Sequence, residues 1–168
     1  MFDSNILANI DPANHEEISR AAETALKEMA EEGRTLRETL GITDGLLEEI
    51  YSIAYGYYKQ GKYKESLTLF NVLVGADLGS YKYLLGLAAT YHQMKEYDKA
   101  ILCFFLALKE EPNNPIPAFY IADCFIKINA TERALYFLDH VIKTEGTEHE
   151  SLKEKCKLIK KSLEGIQQ

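Results

Sequence analysis

From Leu47 onward, small and apolar positions recur at a step of 34 residues. Ile53, Leu87 and Ile121 keep that step, as do Ala54, Ala88 and Ala122, and Tyr57, Tyr91 and Phe125. Tyr63, Tyr97 and Thr131 follow, then Ser66, Ala100 and Ala134, then Phe70, Phe104 and Leu138. Leu78, Pro112 and Gly146 mark the period ends. Inside each period the apolar positions fall at helical spacing in two stretches. The pattern predicts first helices near 45–59, 80–93 and 116–128, and second helices near 63–76, 97–110 and 131–144. Two helices cross closely where side chains are small, which suits Ala54 against Ser66 and Ala88 against Ala100. Large residues such as Tyr57 and Phe70 fill the space away from the crossing. Each pair leaves an apolar side open until the next pair covers it.

The flanks are also read as helical. Residues 1–10 lack a pattern and are expected to be a mobile arm. Asp11 and Pro12 have the chemistry of an N-cap and a first helical residue. Ile18, Ala22, Ala25, Leu26 and Met29 make a narrow stripe that Gly33 ends, and Thr35 to Glu38 has the spacing of a capping box before Gly41. At the other end, Leu152, Cys156, Ile159 and Leu163 form one stripe on a lysine-rich helix, which predicts a cap on the third pair with its lysines in water. The expected fold is all-α: a solenoid of three helix pairs in a single domain over 1–168. It has an N-terminal helical region at 11–46, repeats at 47–80, 81–114 and 115–148, and a capping helix at 149–168.

One stretch carries more aromatic residues than packing needs. Residues 50–63 hold five of the eleven tyrosines. On a helix, Ile50, Ile53, Ala54 and Tyr57 form the stripe suited to the core, while Tyr51, Tyr55 and Tyr58 form a second one. An aromatic stripe is more often core than binding site, and Tyr57 and Phe70 are read as core. Tyr51, Tyr55 and Tyr58 are surplus to one buried face and are read as ligand-facing. Tyr63 fits either role.

Composition narrows the function classes. A net charge of -7 argues against nucleic acid, which needs a basic surface. Ten of the 26 acids but only four of the 19 bases lie in residues 1–46, so the acidity belongs to that end. The longest strongly apolar run, 101–108, is too short to span a bilayer, and Met1-Phe2-Asp3 does not open like a secretory signal. Cys103, Cys124 and Cys156 are odd in number and sit in apolar patterns, as expected of buried free thiols in a reducing cytoplasm. The four histidines form no metal-binding or catalytic spacing, and there is no phosphate loop or nucleophile elbow. Catalysis, a metal and a cofactor are therefore not expected.

The period, with its small–aromatic–small–aromatic order, resembles the tetratricopeptide repeat. Three segments are more specific: Gly33-Arg34-Thr35-Leu36 with Gly41-Ile42, Tyr51-Ser52-Ile53-Ala54-Tyr55 through Gly61-Lys62-Tyr63, and Leu85-Gly86-Leu87-Ala88-Ala89. Over roughly residues 15–160 they resemble the bacterial type III secretion chaperones of hydrophobic translocator proteins. The resemblance implies a cytoplasmic bacterial chaperone whose concave groove holds an extended translocator segment, with two prolines flanking a leucine. It also implies a homodimer, often formed through the N-terminal helical region. First helices line the groove in such arrays, which nominates Tyr51, Tyr55 and Tyr58, then Leu85, Ala89 and His92, then Phe119, Asp123 and Ile126. Tyr51 and Tyr63 match aromatic positions that the family uses near its peptide pockets.

Two rivals remain to be weighed. An adaptor that clamps a C-terminal carboxylate needs a cluster of lysine, arginine and asparagine on those helices, and Lys82 is the only base near that face. A scaffold for another peptide ligand stays open as the alternative.

Overall fold

The computed structural model describes residues 36–166, together with Glu16, Arg20 and Thr24. Those three are helical and exposed, and the Thr24 hydroxyl donates to the Arg20 carbonyl at 2.9 Å. The expected arm over 1–10, the helix start at Asp11 and Pro12, the stripe from Ile18 to Met29, the stop at Gly33 and the Thr35 cap lie outside the described residues.

Among the described residues there is no strand. The helices are α1 (Leu36–Leu40), α2 (Asp44–Lys59), α3 (Tyr63–Ala76), α4 (Tyr81–Gln93), α5 (Tyr97–Glu110), α6 (Pro115–Lys127), α7 (Thr131–Lys143) and α8 (Glu150–Ile166). The six helices α2 to α7 begin and end within one residue of the spans that the periodicity predicts. None of the described helices is long and apolar enough to cross a membrane.

Local chemistry sets the helix ends. Thr43 is extended, and its Oγ1 accepts a hydrogen bond from the Leu46 amide at 3.3 Å, so α2 starts at Asp44. Asn114 does the same for α6, accepting from the Ile116 amide at 3.1 Å, with Pro115 at the first helical position. The three turns between paired helices share one device. Gly61, Lys95 and Asn129, one period apart, all have positive φ, at 75°, 62° and 60°. The amide of the next residue then reaches back into the finished helix: Lys62 to the Tyr57 carbonyl at 2.9 Å, Glu96 to Tyr91 at 3.0 Å, and Ala130 to Phe125 at 2.8 Å. Glycine adopts that conformation freely and asparagine tolerates it, but lysine pays a steric cost.

The chain forms two compact units, one ending at Thr90 and the other starting at Tyr91. In the first, α1 and α2 both pack on α3. Leu47, Ile50 and Ala54 of α2, Leu69, Phe70 and Leu73 of α3, and Tyr83, Leu84 and Leu87 of α4 are buried. Ala54 and Ser66 are both fully buried, and the Ser66 hydroxyl donates to the Ala54 carbonyl at 3.0 Å. The small pair therefore marks a close approach of α2 and α3. Thr90, also fully buried, donates to the Gly86 carbonyl at 2.8 Å and lies 3.3 Å from the Ser66 oxygen. Two hydroxyl hydrogens serve these three contacts, so the hydroxyls share them in turn. Of the stripe expected in the core, Ile50 and Ala54 are buried, whereas Ile53 and Tyr57 are half-buried. Tyr57 carries the Lys62 ammonium 5.6 Å from its ring centroid.

In the second unit α5 packs on α6, α6 on α7, and α7 on α8. Buried Ala118, Ala122, Leu138, Val141 and Cys156 form its core, and Leu152, Ile159 and Leu163 of α8 pack against that cluster. The α8 stripe thus covers the third helix pair. One of its lysines departs from the expected solvent face. Lys153 is only 8% exposed, and its ammonium donates to the Gly146 carbonyl at 2.6 Å and to Glu150 Oε1 at 3.1 Å. The two acceptors let the ammonium sit at the base of α8, where it ties the preceding loop to the helix. Lys160 bonds Asp139 of α7 at 2.6 Å. The thiols of Cys124 and Cys156 are buried and that of Cys103 is partly buried. Burial pushes them up to about 12, 11 and 11 respectively, so all three stay protonated at neutral pH.

Replacing Lys95 with glycine is expected to stabilise the protein. A left-handed residue with a Cβ costs about 1–2 kcal/mol, and the extra freedom of glycine in the unfolded chain returns about 0.5–1 kcal/mol of that. Urea unfolding should give a net gain of about 0.5–1 kcal/mol for Lys95→Gly and none for Lys95→Ala.

Candidate functional site

The first unit contains a cleft of about 160 Å³ lined by Tyr51, Tyr55 and Tyr58 of α2, Phe70 of α3, and Tyr81, Lys82, Leu85, Gly86 and Ala89 of α4. Its construction follows from helical spacing. Tyr51, Tyr55 and Tyr58 lie on one stripe, and so do Tyr81, Leu85 and Ala89 on the facing helix. The α2 rings form a ladder: Tyr51 and Tyr55 are stacked at 6.3 Å and 7°, and Tyr55 and Tyr58 at 6.4 Å and 12°. Tyr63 meets Tyr58 edge-on at 5.8 Å, so it continues the row beyond the cleft lining.

Phe70 is the floor. It is 1% exposed and meets the Tyr51 ring at 6.1 Å and 76°. It lies so close to α4 that a Cβ at residue 86 would come within 2.2 Å of its Cε1. Only glycine fits there, and the missing side chain also keeps the cleft open. The one charge at the cleft is neutralised locally. Lys82 pairs with Glu48, and its ammonium stands 5.2 Å from the Tyr51 centroid and 5.1 Å from that of Tyr83. The hydrogen bond to Glu48 holds the Lys82 ammonium above the usual lysine range. The cleft is therefore aromatic, with a cation fixed at its rim. In an apolar cavity, about 150 Å³ accommodates one benzene-sized molecule, so a proline or leucine side chain suits this space.

The other nominated residues gather in the second unit. His92 Nε2 lies 2.6 Å from Asp123 Oδ2. His92 also meets Tyr97 and Tyr120 edge-on, each at 5.8 Å. The hydrogen bond from His92 holds the Asp123 carboxyl below its ordinary value. Phe119 packs beside the α6–α8 core cluster, with the Lys155 ammonium 4.8 Å from its ring centroid. Ile126 is half-buried. Tyr51, Tyr55, Tyr58, Leu85 and Ala89 thus share one cleft, whereas His92 and Asp123 form a separate polar pair and Phe119 meets the capping helix.

Five contributors were not nominated from periodicity, among them Phe70, read as core and found to be both core and cleft floor. Tyr81 sits four residues before Leu85, one turn earlier on the same stripe. Lys82, Gly86 and Tyr120 carry no periodic signal of their own, because their roles depend on which ring lies opposite. Among the described residues no group of three or more histidine, cysteine, aspartate or glutamate side chains is placed to hold a metal.

Paired helices with a small-residue crossing, repeated along the chain, define a helical-repeat protein. The tetratricopeptide repeat family matches residues 47–74 and 81–110. Over 154 residues the chain is 29% identical to the chaperone protein SicA of Salmonella dublin, covering 92% of each chain. It is 29% identical over 149 residues to the low calcium response locus protein H of Yersinia pestis, covering 83% of this chain and 88% of that one. In structure it matches the Yersinia enterocolitica type III secretion chaperone SycD, solved in complex with a peptide of the translocator YopD. The TM-score is 0.71 at 22% identity, over 75% of this chain and 97% of that one. The chain shares that fold.

Two substitutions probe the site. Gly86→Ala drives a Cβ into the buried Phe70 ring, and overpacking of this kind costs about 1–3 kcal/mol. That outweighs the gain of roughly 1 kcal/mol in helix propensity, so a lower melting temperature is expected in calorimetry. For Asp123, a carboxyl depressed in the folded state stabilises fully above its unfolded value, ordinarily 3.8, and loses that contribution as pH falls through the folded value. Asp123→Asn should be less stable than the parent at neutral pH, and the gap should close below pH 3.8 in acid unfolding curves.

Proposed function

We propose that this protein is a cytoplasmic bacterial chaperone for a secreted hydrophobic translocator, holding an extended segment of that cargo against its first-helix faces. The observation that carries the reading is the open tyrosine cleft over Phe70. Its dimensions suit one apolar side chain, and it lies on a fold shared with a chaperone solved with a translocator peptide. Tyr51, Tyr55, Tyr58, Leu85 and Ala89 would contact the segment in the first unit, with Tyr63 at the end of the row. His92, Phe119 and Asp123 would supply contacts in the second.

The mechanism is stoichiometric masking. A proline-containing segment is already extended before it binds, so less ordering opposes association. Burying one proline or leucine side chain contributes about 1.5–3 kcal/mol. The tyrosine hydroxyls and the fixed Lys82 ammonium are donors that peptide carbonyls can accept from, at little entropic cost because the rings are already packed. Masked apolar segments cannot self-associate, and release follows from competition at the export apparatus. No cofactor or energy source enters. The organisation into three repeats and a capping helix within one domain, and a homodimer formed through the acidic N-terminal helical region, belong to the same reading.

Co-expression with candidate translocators, followed by pull-down and measurement of soluble cargo, tests the proposal directly. Retention of a hydrophobic secreted protein is expected; if none is retained or solubilised, a scaffold for another ligand is the better reading. Tyr51→Ala combined with Tyr55→Ala should weaken binding of a peptide with two prolines flanking a leucine, on the order of ten- to a hundredfold. Helical circular dichroism should be unchanged. A large loss of stability with unchanged binding would make both tyrosines packing residues.

A further inference from the structure

The 34-residue period allows the two units to be compared position by position. Phe70 of the first unit corresponds to Phe104 of the second, and Gly86 corresponds to Tyr120. In the first unit, the absence of a side chain at residue 86 leaves Phe70 as the floor of an open cleft. In the second, the Tyr120 ring lies flat on Phe104, with centroids 5.2 Å apart and planes 7° apart. His92 meets Tyr120 edge-on at 5.8 Å and Phe119 does so at 5.4 Å. Phe104 is fully buried, and Tyr120, its cover, is 37% exposed. An aromatic ring stacked on a buried floor, walled by two further rings and still reached by solvent, is placed as a bound side chain would be.

We propose that Tyr120 is an internal occupant of the second unit's counterpart of the cleft. It determines specificity by closing that unit to ring-sized apolar groups. This rests on reading the first-unit cleft as a ligand site, but the geometry of Tyr120 belongs to the second unit alone. The chain then offers an incoming segment an open apolar recess in the first unit. In the second it offers the edge of Tyr120 and the His92–Asp123 pair. Offset stacking of aromatic rings is favourable beyond area burial, which keeps Tyr120 seated in the absence of competition.

The experiment uses p-cresol, which reproduces the tyrosine side chain, as the probe. Tyr120→Ala, wild type and Tyr120→Phe are titrated with p-cresol and followed by amide chemical shifts. Saturable shifts at Phe104, Phe119 and His92 are expected in Tyr120→Ala, with affinity roughly tenfold or more above any binding at those residues in the other two proteins. If Tyr120→Ala is unfolded at rest, p-cresol should restore its helical signal. Failure of p-cresol either to bind the folded variant or to restore the unfolded one overturns the proposal, as does equal binding at those residues in wild type. Translocator-peptide binding to wild type is measured in parallel. Its absence alongside p-cresol rescue would reject the chaperone reading and leave the occupant assignment standing, and the converse result would do the opposite.

Discussion

Phe70 lies against the backbone of residue 86, and the cleft of the first unit depends on that contact. The ring is nearly fully buried and supplies three things at once: core volume for α3, an edge partner for Tyr51, and the floor of the cleft. All three require the α4 backbone to come within van der Waals reach, which a Cβ at residue 86 would prevent. The nearby polar groups follow from the same closeness. Thr90 satisfies the Gly86 carbonyl and Ser66 the Ala54 carbonyl, so the tight approach leaves these buried oxygens bonded.

That arrangement divides the tyrosines into different kinds of work. Tyr83 is 3% exposed, and burial raises its hydroxyl above the ordinary tyrosine range. Tyr51, Tyr55 and Tyr58 form a ladder with one side toward the cleft, and Tyr55 remains 47% exposed. A row of stacked rings is already ordered and has little conformational freedom left to lose. Lys82 is fixed by Glu48 and by two ring faces, so the cation at the rim is also ordered beforehand.

The second unit uses equivalent positions differently. One period after Tyr58 stands His92, and where Gly86 leaves Phe70 open the second unit has Tyr120 seated on Phe104. Phe119, one period after Leu85, lies beside the cluster that α8 covers and takes Lys155 on its ring. The capping helix is held by apolar contacts and by two lysines that bond inward, Lys153 to the Gly146 carbonyl and Lys160 to Asp139. Repetition supplies the scaffold, and departures from it supply the chemistry.

The sequence by itself determined the helices, because a 34-residue period of small and large residues admits one helical pairing with its crossing at Ala54 and Ser66. Local conformation was legible for the same reason: a glycine at residue 61 announces a left-handed turn, and its successors at Lys95 and Asn129 inherit the position despite their side chains. The surplus tyrosine stripe was legible as well, since one core face cannot absorb both stripes of α2. Tertiary structure alone decided which apolar face stays open. Gly86 and Tyr120 occupy the same place in the period, and no local pattern says that one clears a phenylalanine floor while the other covers it. Nor do the five lysines of α8 reveal that Lys153 turns inward, because that depends on the Gly146 carbonyl that the preceding loop brings near. The opening at residues 50–63 began as an aromatic excess, and only the ring opposite turned it into a cleft.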